Sequence, residues 1–206
     1  MKALVTGFEP FGGETINASI EAVRRVQPRI GDLEVVTAEL PTSYARSHAA
    51  LEAAIAGAQP DLVLCVGQAG ERAALCVERV AVNIQHAELA DNDGARPDDA
   101  LVVPGGPAAY LSTLPVRAAV ASLRAAELPA LLSMSAGTFV CNHVFYSLMH
   151  LAATRRRPLR GGFLHVPALS RPASGEAPPM ALADIVRGIE IVLEAAAREQ
   201  RLGTRD

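Results

Sequence analysis

Short, almost purely apolar runs set the terms for this chain. Ala3 to Thr6, Asp61 to Val66 (DLVLCV) and Gly162 to Val166 are too short for helices. A run of this kind reads as a strand buried on both faces, which is how strands of a parallel sheet are placed. Further strands are expected at Leu33 to Leu40, Leu75 to Ile84 and Ala130 to Met134. Helical spacing fills the intervals: Ile16 to Val26, Tyr44 to Ala56, Val116 to Ala126, Cys141 to Ala153 and Met180 to Glu199. Strands alternating with helices predict an α/β fold of three layers, α/β/α, with a mostly parallel twisted sheet and helices on both faces. The 206 residues show no internal repeat and no linker, so a single domain, 1–206, is expected. Residues 88–109 and the Pro-rich stretch after Pro167 read as loops. The first exceeds the usual loop length, which predicts a functional segment or an oligomer contact.

Composition narrows the function. Net charge is −3, and the one basic run, Arg155-Arg156-Arg157 with Arg160, lacks interleaved aromatics. It reads as a solvated helix end, and no nucleic-acid partner is expected. No apolar run approaches the ~18 residues of a membrane span, and the N-terminus does not read as a signal peptide. Cys65, Cys76 and Cys141 form no C-x-x-C pair, and an odd count argues against a disulfide framework. A reducing cytoplasm fits, where a cysteine is a packed thiol, a metal ligand or a nucleophile. Trp is absent and aromatics are scarce, so Phe8, Phe11, Phe139 and Phe145 stand out.

Three residues combine into a chemical possibility. Cys141 follows a strand and a small-residue turn (Ser135-Ala136-Gly137) and opens a helix. There the macrodipole and unsatisfied N–H groups favour thiolate, and the same N–H groups can hold an oxyanion. His165 ends an apolar strand, at the edge where α/β sheets place their sites. It is expected to face Cys141 across adjacent strands as general base and then acid. Glu78 sits inside a strand-like apolar segment and can orient an imidazole as a third member. Each also has a plainer reading: a packed thiol, a core histidine, a carboxylate paired with a nearby arginine. His143 and His150 share the helix of Cys141, and His48 and His86 lack comparable context. The turn Gly7-Phe8-Glu9-Pro10-Phe11-Gly12-Gly13 is neither G-x-G-x-x-G nor a P-loop. Two phenylalanines on a rigid turn suggest an apolar slot for a small flat group, or packing beneath the turn.

In order and spacing, VTGFEPFGG, VGQAG…VERVAVN, ADNDG, SAGTFVCNH and GGFLHVP resemble the motifs of the pyroglutamyl peptidases, a family of cysteine peptidases. The resemblance runs from about residue 3 to about 167. It implies Cys141 as nucleophile, His165 as acid/base and Glu78 as its partner, with no metal and no cofactor. It further implies a pocket lined by Phe8, Phe11, Thr42, Leu89, Phe139 and Val140. Gln68 matches the position whose backbone holds the lactam, and Asn17 a polar residue of the first loop. The implied substrate is a pyroglutamyl peptide, and the implied setting a cytoplasmic homotetramer. Three residues depart from the pattern: Glu88 for an arginine, Ala18 for a proline and Glu71 for a glycine or proline. Two other readings stand beside this one: a catalytically silent pyroglutamyl-peptide binder, and another α/β enzyme such as a nucleoside phosphorylase.

Overall fold

The computed structural model of the chain describes residues 1–169 and 178–203, so most of the Pro-rich loop lies outside the described residues. Nine strands and five helices follow in order: β1 (Lys2–Phe8), α1 (Ala18–Val23), β2 (Arg29–Ile30), β3 (Leu33–Leu40), α2 (Ser47–Ala58), β4 (Leu62–Gln68), β5 (Leu75–Glu78), β6 (Val80–Val82), β7 (Ala109–Leu111), α3 (Val116–Ala125), β8 (Ala130–Ser133), α4 (Val140–Thr154), β9 (Arg160–Val166) and α5 (Leu182–Gly203). Seven strands form one sheet in the order β2-β3-β1-β4-β9-β5-β8. β3, β1, β4 and β9 run parallel, β2 is antiparallel to β3, and β5 is antiparallel to β9.

Alternation along the strands separates two cores. Val5, Leu64, Val66 and Leu164 face one way, against Ile20, Val23, Ile189 and Val192 of α1 and α5. Leu4, Val63, Cys65 and Phe163 face the other, against Leu51, Ile55, Val144 and Phe145 of α2 and α4. Both faces are covered, which is why these strands read as near-continuous apolar runs. The three-layer architecture follows directly.

Three expectations need correction. The strand expected at Leu75 to Ile84 is two strands. β8 ends at Ser133, opposite Glu78, so the chain loses its sheet partner there. Gly161, two residues before Phe163 on β9, is instead bonded by Thr113, and β6 leaves to pair with β7 in a separate ribbon. Second, β8 and β9 are not neighbours: β5 lies between them. Since β8 runs parallel to β5, it opposes β9, and their carboxyl ends do not share an edge. Third, the helix expected from Tyr44 starts at Ser47; Gln59, in the left-handed conformation (φ 48°), and Pro60 end it.

Candidate active site

Cys141 is brought to the sheet by its helix rather than by its strand. α4 packs on the face of Phe163, and the sulfur settles over Gly67 of β4, where a Cβ would lie 2.9 Å from Sγ. Only glycine leaves that space. Phe139 is the N-cap and makes no side-chain cap, while its carbonyl accepts from His143 N. The N–H groups of Val140, Cys141 and Asn142 are therefore the free donors of the first turn. Asn142, fully buried, anchors that turn: its Oδ1 accepts from Val82 N at 3.0 Å, and its Nδ2 donates to the carbonyls of Val82 (2.9 Å) and Ile84 (3.0 Å).

His165 is paired with Gly67 in register on β9, and Glu78 comes from β5 on its other side. His165 Nδ1 lies 2.8 Å from Glu78 Oε1, with both side chains buried. That contact favours Nδ1 as the protonated nitrogen and leaves Nε2 without a hydrogen-bond partner among the described residues, on the wall of the cavity that Cys141 also lines. The same Oε1 accepts from Arg72 Nη1 at 2.7 Å. Arg72 is held in turn by Ser133 Oγ (3.2 Å) and the Ser135 carbonyl (2.9 Å). The arginine expected as the plainer partner of Glu78 is Arg72, six residues away, and Glu78 meets it and His165 together.

Burial, and then the charge of Glu78, push the Cys141 thiol up to about 12, although Arg72 and its own backbone N–H act the other way. The expected helix-start effect is outweighed: desolvation dominates at the floor of this cavity. Burial also lowers the His165 imidazole below its ordinary value, against the opposing pull of Glu78. Both shifts favour the uncharged forms of the two side chains. Cys65, beneath it, is raised to about 12 by burial, a packed thiol.

Above the sulfur is a cavity of 130 Å³, lined by Phe8, Phe11, Asn17, Thr42, Gln68, Ala136, Phe139, Cys141 and His165. A water's share of liquid volume is about 30 Å³, so this space takes one small ring and not a drug-sized ligand. Phe11 and Phe139 stack obliquely at 5.9 Å, and Tyr44 meets Phe139 edge-on at 5.8 Å. Asn17 caps α1, accepting from Ser19 N, and donates to Glu9 O. Gln68 Oε1 accepts from Ala18 N. Glu9 Oε1 accepts from Thr42 N and from Asn92 Nδ2, and Asn92 also reaches Pro10 O. The long irregular segment therefore frames the turn that carries the phenylalanines.

Two residues of the expected pocket sit elsewhere. Val140 is fully buried in the core beneath α4, outside the cavity lining. Leu89 is half exposed and belongs to an outer cleft of 460 Å³ that shares Phe11, Gln68, Ala136 and His165 with the cavity. A larger recess of 520 Å³ between α3 and α5 has no cysteine and no histidine among its described lining residues. Among the described residues, exposed His86, Asp98 and Asp99 bring ligand atoms within 4.8 Å of one another and could hold a metal ion, apart from the thiol cavity.

Comparison with known proteins gives the family. A family model described as pyroglutamyl peptidase matches residues 1–199. The chain is 52% identical to the pyrrolidone-carboxylate peptidase of Streptomyces coelicolor, covering 96% of this chain and 92% of that one. It is 48% identical to pyrrolidone-carboxylate peptidase 1 of Ralstonia nicotianae, with 96% and 93% covered. The crystal structure of Bacillus amyloliquefaciens pyroglutamyl peptidase I superposes with a TM-score of 0.92 at 41% identity, covering 96% of this chain and 97% of that one.

Proposed function

Because this chain belongs to the pyroglutamyl peptidase family and is a cysteine-type peptidase of it, we propose that it opens the amide bond after an N-terminal pyroglutamyl residue with Cys141, His165 and Glu78. The observation that carries the assignment of residues is the 2.8 Å contact of His165 with Glu78 at a cavity whose floor is the Cys141 sulfur. Pyroglutamate has no free α-amine, since its nitrogen is closed into a lactam. Its site needs an apolar slot and neutral hydrogen-bonding groups, with no carboxylate waiting for an ammonium. Phe8, Phe11 and Phe139 supply the slot, and Asn17, Thr42 and Gln68 the polar rim.

In the proposed cycle His165 Nε2 takes the thiol proton as the sulfur attacks the carbonyl carbon. The Glu78 charge holds the imidazolium so formed. N–H groups of the first turn of α4 receive the oxyanion. His165 then gives its proton to the leaving amine, and water cleaves the thioester with His165 as base. The 206 residues act as one pyroglutamyl-peptidase-like domain in this reading. A cytoplasmic homotetramer suits it: Cys65, Cys76 and Cys141 are free thiols, and Ile84, Leu101 and Leu111 are exposed apolar side chains that subunit contacts would cover.

The test is release of a fluorophore from a pyroglutamyl amide by the wild type and by Cys141→Ala. Turnover is expected from the first and none from the second. Equal rates would remove Cys141 from the chemistry.

A further inference from the structure

The small cavity accounts for the ring on one side of the scissile bond and leaves the other side undescribed. A peptide seated with its lactam between Phe8 and Phe139 must continue outward past His165. The space there is the 460 Å³ cleft, whose lining includes Phe11, Glu14, Glu71, Arg72, Leu89 and His165. His165 opens on both spaces, is only 4% exposed, and shows no hydrogen-bond partner for Nε2. Its unpartnered nitrogen marks the boundary where the leaving amine must stand.

The charge of this cleft is one-sided. Arg72 is its one cationic wall residue, and its guanidinium is spent on Glu78, Ser133 and Ser135. Arg72 and Glu78 cancel. Glu14 and Glu71 are exposed and make no ion pair or side-chain hydrogen bond with a described residue. Two uncompensated carboxylates thus flank the path of the departing peptide. Glu71 follows Gly70 in the turn after β4, and Glu14 follows Gly12 and Gly13, so both are carried on the rims of the cleft.

We infer that Glu14 and Glu71 make the leaving-side cleft a subsite for cations, so that the enzyme favours pyroglutamyl peptides with lysine or arginine immediately after the ring and disfavours those with aspartate or glutamate there. This rests on the pyroglutamyl peptidase reading and adds the class of residue on the far side of the bond. The physical basis is charge complementarity at a partly solvated rim, which salt screens.

The experiment measures kcat/KM for three pyroglutamyl dipeptide amides, with lysine, norleucine or glutamate in the second position, by quantifying the released amino-acid amide. Lysine and norleucine differ in the ammonium and match in their aliphatic reach. At about 10 mM salt, where the screening length is roughly 30 Å, the lysine-to-glutamate ratio is expected to be on the order of tenfold, with norleucine between. In about 1 M salt, with a screening length of roughly 3 Å, the ratio should approach one. In the Glu14→Gln/Glu71→Gln variant it should approach one already at low salt. A low-salt ratio near one for the wild type overturns the inference, as does a ratio that persists in the double variant. If that variant does not fold, the salt dependence of the wild type decides. Absence of cleavage of the norleucine amide sinks the peptidase reading itself, and the preference with it.

Discussion

Arg72 and His165 meet on one oxygen of Glu78, with Nη1 at 2.7 Å and Nδ1 at 2.8 Å from Oε1, while Oε2 has no hydrogen-bond partner among the described residues. The carboxylate is fully buried, so the guanidinium both compensates its charge and sets its direction. Arg72 acts through Glu78, as a positioning residue.

Arg72→Gln is therefore expected to lower kcat/KM on the order of tenfold or more. The pH profile separates this from general damage. Arg72 depresses the His165 imidazole, so its removal raises that pKa and moves the acid limb of kcat/KM to higher pH. Arg72→Lys should keep the limb closer to the wild-type position. An unmoved limb in Arg72→Gln would show that the guanidinium does not govern the imidazole.

Gly67→Ala should disable the enzyme while leaving most of the fold. The added Cβ would lie 2.9 Å from Cys141 Sγ and 2.8 Å from Phe163 Cζ. Such overpacking costs about 1–3 kcal/mol, and a reacting atom displaced by roughly 1 Å loses about a hundredfold in rate. Thermal unfolding and turnover of a pyroglutamyl amide check the two effects separately. Near-normal kcat would mean that the sulfur does not work from above Gly67.

Alkylation and turnover should respond to pH differently. With the thiol pushed up to about 12, iodoacetamide labelling of Cys141 in the free enzyme should climb about tenfold per pH unit from 7 to 9, without a plateau. The proposed cycle needs neutral His165, whose pKa is depressed, so kcat/KM should hold through the ordinary histidine range as pH falls and decline only below it. A labelling plateau near neutrality would reveal a preformed thiolate–imidazolium pair instead.

Asn92→Ala should loosen the substrate slot more than the catalytic centre. Asn92 donates to Glu9 Oε1 at 2.9 Å and to Pro10 O at 2.8 Å, holding the turn between Phe8 and Phe11. A several-fold rise in KM with kcat largely retained is expected, at about 1 kcal/mol per lost hydrogen bond. A change confined to kcat would place Asn92 in another role.

The sequence made some of this site readable and concealed the rest for identifiable reasons. β4 and β9 announced themselves, because strands buried on both faces carry unbroken apolar side chains. Cys141, His165 and Glu78 could be named, since a thiol at a helix start, a strand histidine and a carboxylate among apolar neighbours each break a local pattern. Strand order stayed hidden: nothing local in Leu75 to Glu78 says that it runs against β9 or separates it from β8. Nor did local rules foresee the raised thiol, because helix position is a sequence property and desolvation belongs to the assembled cavity. Asn142 was invisible for a similar reason, its two partners, Val82 and Ile84, lying about 60 residues away.

The placement of β9 has a consequence for how the molecule comes into being. This strand stands between β4 and β5, yet among the described residues it is the last strand to be synthesised. Until residues 160–166 emerge, β4 and β5 have no common neighbour, and Gly67 and Glu78 belong to unconnected halves. Closing a sheet around a late central strand requires contacts distant in sequence, which slows folding. The strand that joins the halves also delivers His165. A nascent or truncated chain that ends before it holds a thiol and a carboxylate but no imidazole between them, so the proposed catalytic centre cannot assemble ahead of the sheet that contains it.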